Sequence, residues 1–313
     1  RYPFPFLATP SYIRKTALIN GRGDAALGEK TIDFCRFAEG FWYGDDVSTT
    51  ILSAEMVKLH RANEPFITWG PHDKKTIAGF DCGFTSDGDS NELMFSVLGK
   101  NTDAKYSLMV DPEPIRIMGT AGDREEYRKS VAVQVVAECK KRGVTPDCFG
   151  MDINADGGLM MQSIQKEWGS HDIIGLSSLE PADDPKYFHR VTQYWYEAAL
   201  AVTTGLLRGF NINSRYAKDL FARQYESVGR GKVKVEKKAT MKARIGRSPD
   251  AGDSFTYNIN VAVRHGFELT QPEFAGTQST ERPDIPDGME GYYGLEDEDN
   301  SSEFFGSAFA GDD

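Results

Sequence analysis

Residues 76–84 read TIAGFDCGF and residues 147–158 read DCFGMDINADGG. In each, a short apolar run closes on an aspartate, Asp81 and Asp152, and such runs read as buried strands. A third stretch, GRSPDAGDSF at 246–255, opens a helix: Ser248 is suited to cap it, Pro249 to its first position, and Asp250 to the positive end of its dipole. Asp250 and Asp253 stand three residues apart and share one helix face. Two carboxylates so placed repel each other unless a cation or a proton lies between them. Acids gathered from distant parts of a chain at one sheet edge are what divalent metal ions require beside a phosphodiester.

Each acid also has a plainer role. A lone Asp at a strand end serves as a turn residue, and Asp250 alone as a first-turn helix acid. Asp152, Asn154, Asp156 and Gly157 fit the first half of an EF-hand loop, but its last ligand position holds Ser163 rather than Glu. A strand rather than a helix precedes the loop, so a calcium sensor is rejected. Asp152 and Asp156 stay as acids of a strand-to-helix turn.

Around these stretches the pattern predicts strands at 76–82, 91–99, 104–110 and 114–118, then a helix from Asp123 to Arg142. A strand at 147–152, a helix at 158–168 and a strand at 172–177 follow. Helices are expected at 187–209 and 213–227, a strand at 231–236, and a last helix from Pro249 to Arg264. Antiparallel strands followed by alternating helix and strand indicate an α/β fold: an RNase H-like mixed sheet flanked by helices. Residues 1–70, with one helix-like run at Ser53–Ala62, read as a linker or domain remnant, and 71–270 as the folded domain.

The net charge of −11 belongs to the end of the chain. Residues 271–313 hold twelve acidic residues and one basic residue, Arg282, which leaves 35 of each sign in the rest. That segment is too poor in aliphatic residues to fold alone and reads as an acidic flexible tail; its end, Glu303-Phe304-Phe305 through Phe309 to Asp313, reads as a short docking peptide or as part of a solubilising tail. Upstream, Lys232, Lys234, Lys237, Lys238, Lys242, Arg244 and Arg247 form a basic run leading into the third acidic stretch. It reads as a grip on a DNA backbone, with Lys238 and Lys242 best placed, or as a solvated hairpin and helix.

Other classes find little support. The four cysteines lack CxxC pairing and read as reduced thiols of a cytoplasmic protein. The most apolar helical stretch, AALAVTTGLL at 198–207, is far shorter than the ~20 residues of a membrane span. No HExxH, GxSxG or phosphate-loop motif occurs.

Together, TIAGFDCG, CFGMDINADGG, MKARIGRSPDAGDSF at 241–255 and YWYEAALAVTTGLLRGF at 194–210 resemble the nuclease domain of large terminase subunits from tailed bacteriophages. GFWYGDD at 40–46 is similar to that family's segment between motor and nuclease. The resemblance implies a metal-dependent endonuclease that cuts concatemeric viral DNA during genome packaging, in the host bacterial cytoplasm. It implies Asp81, Asp152 and Asp253 as catalytic acids holding two Mg²⁺ or Mn²⁺ ions, with Asp250 accessory. The spacing leaves Asp156 as an alternative second ligand. It further implies an ATPase domain upstream, an expectation that fits a chain opening on Arg1 rather than Met, and a portal or small terminase subunit as partner of the tail. The rival readings are another RNase H-like nuclease, such as a junction resolvase, and a non-catalytic DNA-binding or docking module.

Overall fold

Continuous burial marks the two central strands. The last five residues of β1 (Lys75–Asp81) are all buried, as are the first six of β2 (Asn91–Lys100), the pattern of strands covered on both faces. The computed structural model describes residues 50–83, 90–120, 122–228 and 232–269. Within them β1 and β2 join β3 (Tyr106–Val110), β4 (Ile115–Ile117), β5 (Phe149–Asp152), β6 (Ile174–Leu176) and β7 (Leu207–Arg208). The sheet has seven strands in the order β6-β5-β1-β2-β3-β7, with β4 also paired to β2. Neighbours of β2 are antiparallel to it, whereas β1 and β5, β5 and β6, and β3 and β7 run parallel. The expected α/β architecture, a mixed sheet flanked by helices, is therefore present.

The helices are α1 (Ala54–Leu59), α2 (Arg124–Lys141), α3 (Gly157–Trp168), α4 (Arg190–Thr203), α5 (Arg215–Ala222), α6 (Lys238–Ile245) and α7 (Asp250–Arg264). Asp123 caps α2, its carboxylate accepting from the backbone N–H groups of Glu125 and Glu126 at 2.8 Å. Helix α7 is the central one. It packs on β1, β2 and β5 and is covered by α4 and α5, so every residue from Asp250 to Ala262 is buried. Its polar members are satisfied inside: Asn258 donates to the carbonyls of Ile77 and Met94 and accepts from Ser96 Oγ at 2.7 Å.

Two glycines let α7 approach the sheet. Gly79 of β1 and Gly150 of β5 are register partners. A β-carbon on Gly79 would stand 2.2 Å from the Asn258 backbone nitrogen, and one on Gly150 would stand 2.3 Å from Val261 Cγ2. Both strands then end two residues later, at Asp81 and Asp152, under the N-terminal half of this helix.

Several boundaries differ from the sequence reading. Residues 50–70, expected in a linker, fold onto the body: Leu52, Met56, Val57 and Ala62 are buried in the core shared with the sheet. Backbone bonds tie them there, from Ile51 N to Arg223 O at 3.1 Å and from Phe210 N to Ala62 O at 2.9 Å. The helix expected to reach 209 stops at Thr203, shortly before Gly205 takes a positive φ of 71°, and Leu207–Arg208 pair with β3. The helix expected to reach 227 stops at Ala222 because β8 (Tyr225–Ser227) pairs with β9 (Val233–Val235). The readings for residues 1–49 and for the acidic tail lie outside the described residues. No described helix is long and apolar enough to cross a membrane.

Candidate metal centre

Parallel pairing of β1 with β5 sets Asp81 and Asp152 at the same edge of the sheet. Helix α7 begins beside that edge, one turn separating Asp250 from Asp253. One carboxylate oxygen from each of Asp81, Asp250 and Asp253 lies within 4.8 Å of the other two. All three side chains are buried, so their mutual repulsion is poorly screened.

A lysine meets that charge. From the first residue of α6, Lys238 sends Nζ to 2.8 Å from Asp253 Oδ2, 3.1 Å from Asp250 Oδ1 and 3.7 Å from Asp81 Oδ2. The side chain is 47% exposed even though its ammonium contacts the buried acids. Burial opposes the charge on Lys238, but Asp253, Asp81 and Asp250 outweigh it and hold the ammonium protonated beyond the ordinary lysine range. Burial likewise drives the Asp81 carboxyl well above the usual carboxylate range; Lys238 pulls it down, and Asp253, Asp250 and Asp152 push it further up. The cluster therefore holds a cation at its centre.

Neighbouring donors fix the carboxylates of Asp250 and Asp253 further. Asp253 Oδ1 accepts from the indole Nε1 of the fully buried Trp195 at 3.1 Å. Asp250 Oδ2 accepts from the Ser90 backbone N–H at 2.8 Å, and Asp250 Oδ1 from Ser248 Oγ at 2.5 Å. Ser248 thus serves the acid side chain, not the helix end it was expected to cap; Pro249 occupies the cap position, which carries no side-chain cap bond.

Asp152 stands next to this group but outside it. Its Oδ1 accepts from the backbone and side-chain nitrogens of Asn154, and burial raises its carboxyl, with bonds from Asn154 and Tyr257 opposing. Its charge still reaches Asp81. Asp156, the alternative ligand, stands at the start of α3 with its carboxylate 3.9 Å from Arg124 and half-exposed. The structure does not bring it to the cluster.

The basic run divides. Lys238, expected on DNA, belongs to the acid cluster, because α6 delivers its first residue to the start of α7. Lys234 pairs with Glu226 at 3.4 Å, Arg247 with the buried Asp219 at 2.6 Å, and Arg244 with Glu236. Lys237 is exposed at the cap of α6, and Lys232 and Lys242 are half-buried.

Trp195 and Asp219 were not singled out from the sequence, and Arg223 was counted only as the start of the basic segment leading to Arg247. The guanidinium of Arg223 stacks 4.5 Å from the Trp195 ring. Asp219 Oδ2 accepts from Gly252 N in the first turn of α7 at 2.9 Å. Burial pushes the Asp219 carboxyl up to about 7 although Arg247 opposes it. The stretch around α5 reads RYAKDLFAR, and its several charges gave no sign of which ones turn inward.

The sequence matches no protein-family profile and no curated protein. Among solved structures, the chain is similar to the nuclease domain of the large terminase subunit gp2 of bacterial virus Sf6, with a TM-score of 0.48 and 15% identity over 67% of this chain and 98% of that one. It is similar also to the large terminase nuclease of thermophilic phage G20c, solved with bound magnesium, with a TM-score of 0.40 and 14% identity over 68% of this chain and 97% of that one. The HK97 bacteriophage large terminase matches with a TM-score of 0.43 and 11% identity over 68% of this chain and 43% of that one.

Proposed function

We propose that this chain is a divalent-metal-dependent endonuclease of a viral genome-packaging motor, cutting concatemeric double-stranded DNA by two-metal-ion hydrolysis. The observation that carries the reading is the buried trio Asp81, Asp250 and Asp253, gathered around one ammonium. Three hard oxygen donors with a cation already among them fit Mg²⁺ or Mn²⁺. Asp81 and Asp253 would be principal ligands, Asp250 a third, and Asp152 would reach the site from the neighbouring strand end. When bound, the ions would supply a water of lowered pKa and neutralise charge on the phosphate.

The chain's own residues prepare that event. Trp195 and Ser90 hold the outer oxygens of Asp253 and Asp250, while the inner ones meet the ammonium, that of Asp250 also accepting from Ser248. Lys238 must withdraw as metal enters, and its partly exposed side chain gives it a path to solvent. Lys232, Lys237 and Lys242 would grip the DNA backbone without reading bases, so binding would weaken steeply with salt. In this reading the segment before residue 50 connects to an ATPase domain of the same protein. The tail at 271–313 meets a portal or small terminase subunit, and the work is done in the host cytoplasm.

The test is incubation of supercoiled and linear plasmid with the chain in Mn²⁺, Mg²⁺ or EDTA, beside Asp81→Asn and Asp253→Asn. Metal-dependent cutting absent from both variants supports the nuclease. A folded chain that neither cuts nor binds metal supports the docking module instead, and preference for branched DNA supports a junction resolvase.

A further inference from the structure

The far ends of β1 and α7 carry a second cluster of a different chemistry. Asp147, Cys148 and His265 each place one donor atom within 4.8 Å of the other two. Asp147 and Cys148 lie in the 3-10 turn (Pro146–Cys148) that opens onto β5, and His265 is the C-cap of α7. His265 also meets Lys75, the first residue of β1, whereas the acid trio stands at the strand's last residue. Seven strand residues at ~3.3 Å each put the two clusters roughly 20 Å apart.

Hydrogen bonding prepares the imidazole as a ligand. His265 Nε2 lies 2.8 Å from the Asp147 backbone carbonyl oxygen. A carbonyl only accepts, so Nε2 carries the proton and Nδ1 keeps its lone pair. Metal-bound histidines are oriented in this way, one ring nitrogen donating to a carbonyl while the other binds. The ammonium of Lys75 faces that lone pair at 3.4 Å, and its charge also acts on Asp147 and Cys148. That lysine is exposed and stands beside the imidazole. Cys148 Sγ lies 3.9 Å from Asp147 Oδ2, and the side chain of Thr145 bonds to the same carboxylate.

One sulfur, one imidazole nitrogen and one carboxylate oxygen make a donor set for Zn²⁺, whereas the acid trio suits hard ions. Donors at zinc distances stand roughly 3.4–3.7 Å apart in a tetrahedron, so contraction by about 1 Å closes the site. We propose that Asp147, Cys148 and His265 form a Zn²⁺ site that ties the C-terminal end of α7 to the start of β5. On binding, the Cys148 thiol gives its proton to solvent as the sulfur–zinc bond forms, and Lys75 swings into water. The site would brace the two elements whose opposite ends present the acids, and it stands independently of the nuclease reading.

Co²⁺ serves as the probe, in the full chain carrying Cys35→Ser and Cys82→Ser, which removes the thiol beside the acid trio. The expected result is a thiolate-to-cobalt charge-transfer band that saturates at one equivalent and is displaced by Zn²⁺. Cys148→Ser abolishes it, and His265→Ala, at a half-exposed position, weakens binding at least tenfold. Asp253→Asn leaves the band intact. Absence of the band in the folded protein overturns the proposal. So does a band that survives both Cys148→Ser and His265→Ala, which would belong to Cys139.

Discussion

Lys238 Nζ lies 2.8 Å from Asp253 Oδ2, and the same ammonium also bridges to Asp250 and Asp81. It stands where a divalent ion would neutralise those carboxylates, so lysine and metal compete for one place. Lys238→Met removes the competitor and leaves the acids to repel. Metal-free, the variant is expected to lose about 1–3 kcal/mol in urea unfolding, less than the loss from breaking a fully buried pair because much of the side chain faces water. Mn²⁺ should restore that stability and bind about tenfold more tightly than to the native chain. Weaker Mn²⁺ binding by the variant would make Lys238 a helper of the metal.

Trp195 acts on the same carboxylate from the other side. Trp195→Phe keeps most of the packing and deletes the indole N–H held by Asp253 Oδ1. A hydrogen bond to a charged group is worth about 1.5–3 kcal/mol, so Mn²⁺ affinity should fall roughly tenfold or more by calorimetric titration. Unchanged affinity in a folded variant would assign Trp195 to packing only.

The paired glycines set how near α7 comes to the strand ends. Gly79→Ala drives a methyl into the Asn258 backbone, and Gly150→Ala drives one into the Val261 side chain. Both should destabilise by about 1–3 kcal/mol, Gly79→Ala the more because backbone cannot turn aside. Val261→Ala should recover part of the loss in Gly150→Ala and none in Gly79→Ala. Equal recovery in both would show that the helix shifts as a body.

Much of this site was legible beforehand, for identifiable reasons. Asp81 and Asp152 end apolar runs, and Asp250 and Asp253 share helical spacing, so local pattern alone selected them. The glycines two positions before Asp81 and Asp152 carried a further signal, because glycine inside a strand marks a place where another element comes close. Lys238 was noticed for its charge but given to DNA, because a run of basic residues does not tell which of them turns inward. Asp156 fitted a loop pattern, yet its backbone position sends the carboxylate to Arg124. The helix-like run at Ser53–Ala62 holds α1, but its packing onto the body was not foreseen, because its burial depends on partners far along the chain. β7 and β8, two and three residues long, are too short to show periodicity.

Asp219 gives the fold a pH dependence of definite sign. Its folded carboxyl is raised by burial to about 7, from an ordinary 3.8. Between those values the folded chain keeps a proton that the unfolded chain has released. Its contribution to stability is therefore full below about pH 4 and is lost as the pH rises through about 7. Urea unfolding from pH 4.5 to 8 should show a smaller decline in Asp219→Asn than in the native chain. Parallel curves would mean that Arg247 keeps Asp219 ionised throughout.

The central claim is that Asp81, Asp250 and Asp253 form a cation site into which a divalent metal displaces Lys238. Its most direct test is titration of Mn²⁺ into the native chain and into Asp253→Asn, with free Mn²⁺ read by electron paramagnetic resonance. The account predicts saturable binding by the native chain that weakens at least tenfold in the variant. Equal binding by the two, or none by the folded native chain, would contradict it.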